Sequence, residues 1–205
     1  IQLLLPGVPF LFQGQEIGAV NQDFRDIGEL RDVESLNRYD ELRAAGASTD
    51  EAFAQVLPGA RDHARVPMRW APTAEVGEKW WQPAAECSAG FTVAEQAGDP
   101  ESVLEFHRAL IRLRRAEPAL TSEEVEFPRP RSRDYFAWIR RDPGTSTEIA
   151  IEVNLTARAI ARPGEVGTSD VILAANTAGG ERGDEMAPFE VTVSRRGEAV
   201  QGSPK

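Results

Sequence analysis

The segment Ala60-Arg61-Asp62-His63-Ala64-Arg65-Val66-Pro67-Met68-Arg69-Trp70 gathers arginines, an aspartate and a tryptophan around one proline without being a simple charge run. A guanidinium offers several donors in a fixed fork and stays charged at any working pH. Arg61 can therefore hold a carboxylate and still donate to a second molecule, although a purely structural ion pair would use the same residue types. The acids upstream, Asp23, Asp26, Asp32, Glu34, Asp40 and Glu41, show no spacing that marks a catalytic pair and read as solvated charges. Glu34 stands four residues before Arg38, the spacing of a helix-surface ion pair. Trp80-Trp81 reads as packing rather than as a stacking face. His63 and His107 are the two histidines and Cys87 the one thiol, and they have no zinc spacing, so neither a metal nor a cofactor is expected. Glycine-rich phosphate loops and a Gly-x-Ser-x-Gly elbow are absent from the sequence.

The elements that must position the Arg61 loop are partly legible. Val8 to Phe12 is a continuous apolar run after Pro6-Gly7, which predicts a parallel strand buried on both faces, with Gly14 and Glu16 just past its end. From Ile27 to Leu42 the apolar residues recur at every third position and drift around a helix, so a loop and then a short helix over 34–44 are expected. Ser48-Thr49-Asp50-Glu51 has the capping-box pattern, and Phe53, Val56 and Leu57 follow as a short stripe that Pro58-Gly59 stops. Asp99-Pro100 reads as the start of a helix carrying Val103, Phe106, Leu110 and Leu113. Beyond Pro118 the texture changes to β-type runs at 135–140, 149–155, 171–174 and 189–193, punctuated by turn residues.

Composition sets outer bounds. A net charge of -10 argues against a nucleic-acid surface, which needs clustered cations. The single cysteine allows no internal disulfide, which fits a cytoplasmic protein. No apolar run is long enough to suggest a bilayer span, so no membrane partner is expected. At 205 residues the chain is shorter than the roughly 250 residues of a complete β/α barrel. Its apolar opening, Ile1 to Leu5, reads as the end of an element already under way.

Pro6-Gly7-Val8-Pro9-Phe10-Leu11-Phe12-Gln13-Gly14-Gln15-Glu16-Ile17-Gly18 followed by the Arg61 loop resembles the α-glucosidase and oligo-1,6-glucosidase branch of the α-amylase family of glycoside hydrolases. The loop usual there is Arg-Asp-Asn-Ala-Arg-Thr-Pro-Met-Gln-Trp. Arg61, Asp62, Arg65, Pro67, Met68 and Trp70 match it, while His63, Val66 and Arg69 replace Asn, Thr and Gln. Ser102 to Arg114 is similar to the last barrel helix, and Asn154-Leu155-Thr156 and Met186 to Glu190 echo the final strands.

The resemblance implies an α/β fold, the C-terminal part of a (β/α)8 TIM barrel over 1–120, followed by a small antiparallel β-sandwich over 121–205. It implies that the catalytic carboxylates precede Ile1, so this chain holds no catalytic residue and is inactive alone. Arg61 is then a substrate-binding residue that meets hydroxyls of the non-reducing-end glucose and pairs with an aspartate from upstream. Glu34 is a second substrate-binding candidate on the acceptor side, and Asp62 and Arg65 hold the loop in shape. The parent implied is a retaining α-glucosidase acting on short malto- or isomalto-oligosaccharides. The alternatives are a glucosyl-transferring or isomerising relative, such as a sucrose isomerase or trehalose synthase, and a non-catalytic transporter heavy chain of the same fold.

Overall fold

The computed structural model describes residues 1–71, 90–128, 132–166, 171–177 and 183–196. Trp80, Trp81 and Cys87 lie outside them. The chain divides into two compact units, one of Phe12–Leu104 and one of Ile1–Leu11 with Glu105–Lys205.

In the first unit, helix α1 (Val33–Ala44) half-buries Leu36, Tyr39 and Leu42 against a core of Phe24, Leu30, Val56 and Ala60. Their spacing of three cannot bury one full face, and α1 sits on the core accordingly. Helix α2 (Thr49–Val56) opens on the capping box: Ser48 Oγ accepts from Glu51 N at 3.3 Å and Glu51 Oε2 accepts from Ser48 N at 2.8 Å. Two 3-10 turns, Leu57–Gly59 and Arg61–Ala64, carry the chain from α2 into the arginine loop. The loop's far end is tied to helix α3 (Val93–Gln96), whose Val93 and Ala94 amides donate to Arg69 O and Trp70 O at 3.0 and 2.9 Å.

The helix expected from Asp99-Pro100 starts later, as α4 (Val103–Ala116). Asp99 instead caps a turn, with its carboxylate accepting from Glu101 N. The Leu104 amide at the helix start goes to Gln96 Oε1 at 3.0 Å, a tertiary cap that no local pattern announces.

In the second unit, α5 (Pro118–Thr121) precedes strands β1 (Val125–Glu126), β2 (Tyr135–Arg141), β3 (Glu148–Asn154), β4 (Ile160–Ala161), β5 (Val171–Ala175), β6 (Glu185–Met186) and β7 (Val191–Arg195). Five form an antiparallel sheet in the order β1-β2-β3-β7-β5, and β4 pairs with β6 as a second small sheet. The alternation of β2 and β3 feeds two cores. Trp138, Ile149, Ile151 and Val153 meet Leu3, Leu4, Leu110, Ala119 and Leu120 on one face. Tyr135, Ala137, Ile139 and Ala150 meet Val166 and Met186 on the other. The two-residue strands escaped the sequence because such short pieces have no period to read.

The strand expected over Val8 to Phe12 is not formed. These residues have coil backbone, and Val8 and Phe10 are each 79% exposed. A parallel strand needs neighbours that satisfy its amides and cover its faces, and every ladder among the described residues is antiparallel and elsewhere. The preceding residues are held instead by two arginines. Arg114 donates to Leu3 O at 2.7 Å, Leu5 O at 3.0 Å and Gly7 O at 2.6 Å, while the buried Arg140 donates to Leu4 O at 2.8 Å and to Ser122 O.

Candidate functional site

The arginine loop is organised by two buried carboxylates. Asp62 is fully buried, and its Oδ2 accepts the amides of Arg31 and Asp32, each at 2.9 Å, which fixes the loop against the start of α1. Asp32, at the N-cap of α1, is the hub. Its Oδ1 takes Arg61 Nε at 2.9 Å, Arg61 Nη2 at 2.8 Å and Arg65 Nη1 at 3.4 Å, and its Oδ2 accepts from the Ser35 hydroxyl at 2.9 Å. Arg61 Nη2 also meets Glu34 Oε2 at 3.1 Å.

Arg61, Glu34, Asp62 and Arg65 are thus brought into one cluster, centred on a residue that the sequence presented as one more solvated acid. Asp32 is corrected on that point: its side chain is 4% exposed, because Asp62 pulls its backbone in and two guanidinium groups meet its carboxylate. The aspartate that pairs with Arg61 in this structure is therefore supplied within the chain. The pairing of Glu34 with Arg38 is not made either, since Arg38 turns to Glu41 at 3.0 Å. The signal that could have found Asp32 is its place one residue before the helix start, where a carboxylate meets the positive end of the dipole.

Electrostatics fit this division of labour. Burial alone would raise the Asp32 carboxyl, but hydrogen bonds from Arg61 and Ser35 overcome it and hold the group below its ordinary value. The same contact raises the Arg61 guanidinium. Arg61 keeps 55% of its side chain exposed, so the pair presents a charged, oriented edge to solvent.

Beside the cluster lies a cavity of about 500 Å³, lined by Phe12–Gln15, Ile17 and Ala19–Asn21 on one side and by residues of the 58–69 segment on the other. Arg61 is not among its lining residues. Gly14 allows the first wall its shape: its φ is 88°, and a Cβ there would stand 3.0 Å from the Ala19 side chain. Glu16, which follows, is half-buried with Oε2 lacking a partner among the described residues. In the second wall, His63 accepts from Gln22 N through Nδ1 at 3.1 Å, and its Nε2 lies 2.9 Å from Leu57 O. Those partners require the neutral ring with its proton on Nε2.

The shifts resolved for the carboxyl groups of Asp32, Glu51, Glu95, Asp142 and Glu190 are all downward, because hydrogen bonds favour the ionised form in each. Among the described residues no group of His, Cys, Asp and Glu could hold a metal ion, and no helix is long and apolar enough to cross a membrane.

Comparison with known proteins adds what geometry alone does not. Palatinase of Erwinia rhapontici is 35% identical over 144 residues, covering 66% of this chain and 25% of that protein. Probable oligo-1,6-glucosidase 2 of Bacillus subtilis is 30% identical over 142 residues, covering 67% of this chain and 25% of that protein. The chain thus spans about a quarter of the length of these curated relatives. Among solved structures, the trehalulose synthase MutB from Pseudomonas mesoacidophila superposes with a TM-score of 0.80 at 26% identity, over 95% of this chain and 36% of that one. The model of the alpha-amylase catalytic domain matches residues 1–123, more than half of the sequence, and the chain belongs to the alpha-amylase family.

Proposed function

We propose that this chain is the C-terminal part of a retaining α-glucosidase that removes glucose from the ends of short malto- or isomalto-oligosaccharides in the cytoplasm. On this reading, residues 1–120 complete a (β/α)8 barrel and 121–205 form its β-sandwich. The catalytic carboxylates come from the preceding sequence. The observation that carries it is the half-exposed Arg61 guanidinium, oriented by Asp32 and Glu34. A sugar hydroxyl reaching that edge accepts a charge-assisted hydrogen bond, and Glu34, with 81% of its side chain exposed, can accept from a neighbouring hydroxyl. Asp62 and Arg65 keep the loop in register.

The names of the relatives support a second reading, in which the parent isomerises or transfers glucosyl units. A trehalulose synthase stands beside the oligo-1,6-glucosidases. The exposed Val8 to Phe12 run supports the barrel assignment, since added parallel strands would cover it.

The test is turnover. The 205-residue chain alone should release no glucose from isomaltose, maltose or sucrose, while the chain joined to its upstream sequence should release free glucose from isomaltose or maltose. Measurable hydrolysis by the chain alone would refute the missing-carboxylate reading, and isomerised sugar from the longer protein would favour the second one.

A further inference from the structure

We propose that His63 is a positioning residue that latches the Arg61 turn to the opposite wall of the cavity only while its ring is neutral, so that the arginine loop loosens as the pH falls. The ring stands on the 3-10 turn Arg61–Ala64, two residues after Arg61. Its two nitrogens hold different parts of the chain. Nδ1 accepts the amide of Gln22 at 3.1 Å, a bond that crosses to the segment lining the first wall. Nε2 donates to Leu57 O at 2.9 Å, on the turn that leads into the loop. The Phe24 ring packs beside it, 5.2 Å away between centroids.

An imidazole can do both jobs in one state of charge only. Protonation puts a hydrogen on Nδ1, where it opposes the Gln22 N–H, and leaves the Leu57 bond in place. Histidine is the side chain whose charge ordinarily changes between about pH 5 and 8, so mild acid can remove the Gln22 bond. Gln22 is 5% exposed, and a buried amide that loses its acceptor must move to water or to another partner. The charged groups around the ring leave that bond as the titrating one. On its own turn Asp62 Oδ2 accepts from the Arg31 and Asp32 amides, and Arg61 and Arg65 meet Asp32. Asp23, beside Gln22, is exposed, and the Leu57–Gly59 turn carries no charge. Arg69 donates to Gln22 Oε1 at 2.9 Å and Gln13 donates to Val66 O at 3.3 Å, ties that protonation of His63 does not touch, so the walls loosen rather than unfold. The loop pattern that this sequence resembles has asparagine where His63 stands. The asparagine oxygen is as many bonds from Cα as Nδ1 is and accepts at any pH, so histidine here keeps the acceptor and adds a titration.

Hydrogen exchange followed by NMR on the 205-residue chain tests the latch without any sugar. Protection of the Gln22 amide, relative to an unstructured amide at the same pH, should fall on the order of tenfold between about pH 7.5 and 5 while amides in the middle of α1 keep theirs. The ring nitrogen shifts of His63 should place its hydrogen on Nε2 at the higher pH and follow the same titration. His63→Asn should keep Gln22 protected at both pH values, and if that variant does not fold, the match between ring and amide in the wild type decides. Protection that is unchanged at the lower pH, that falls without the ring, that falls equally in His63→Asn or that is lost from α1 at the same time would overturn the proposal. Its consequence for sugar rests on the carbohydrate reading above: isomaltose affinity should fall with the same profile in the wild type and not in His63→Asn. Isomaltose that binds at neither pH would count against that reading, while the exchange data decide the latch.

Discussion

Asp32 and Asp62 share one task, converting an arginine-rich loop into a fixed surface, and their contributions can be measured separately. Asp62 takes two backbone amides at 2.9 Å in a fully buried position. Asp62→Ala leaves both without an acceptor and should cost about 1–3 kcal/mol in urea unfolding. Asp32 acts through its charge. Because its folded-state value is lowered, its contribution is complete above the unfolded carboxyl value of about 3.9 and is lost as pH falls through the folded value. Asp32→Asn should therefore melt below the wild type at pH 6, and the gap should close towards pH 3. A gap that stays constant over that range would show that the charge does not matter.

Among the elements, what was legible was local. Helix α2 could be read because Ser48 and Glu51 satisfy each other within four residues, and β2 and β3 could be read because their apolar period is carried inside each strand. The strand expected over Val8 to Phe12 does not form, because apolar continuity says that a segment should be covered, not that a partner is at hand. The start of α4 was misplaced for a related reason, since its amide is capped by Gln96, eight residues away from Leu104. Gln96→Ala should fray that start, seen as faster hydrogen exchange at the Leu104 amide with the middle of α4 still protected; unchanged exchange there would deny the cap.

For the molecule as a whole, composition excluded classes of partner but could not place charges inside the fold. Arg140 follows Trp138 by two residues in β2 and is fully buried although charged, because backbone carbonyls of Leu4 and Ser122 come to it. The β-rich unit also encloses a network in which Arg162 bridges Glu152 at 2.8 Å and Glu190 at 2.7 Å, with side-chain exposures of 6%, 1% and 8% in that order. Tyr135 and Thr192 complete it through their hydroxyls. Asn154 and Glu190, from the two segments that echo the family's final strands, meet around Ala187, whose carbonyl and amide they bind. Arg162→Ala strands two buried carboxylates and should destabilise by about 3–5 kcal/mol in chemical denaturation. A loss below about 1 kcal/mol would mean that the network is solvated as a surface pair is.

The claim on which the functional account turns is that the Arg61 edge meets sugar, and NMR titration of the chain with isomaltose tests it most directly. Saturable shifts are expected at the amides of Arg61 to Arg65 and of Asp32 to Ser35, abolished in Arg61→Ala with the fold intact. Shifts confined to other parts of the chain, or unchanged in Arg61→Ala, would contradict it.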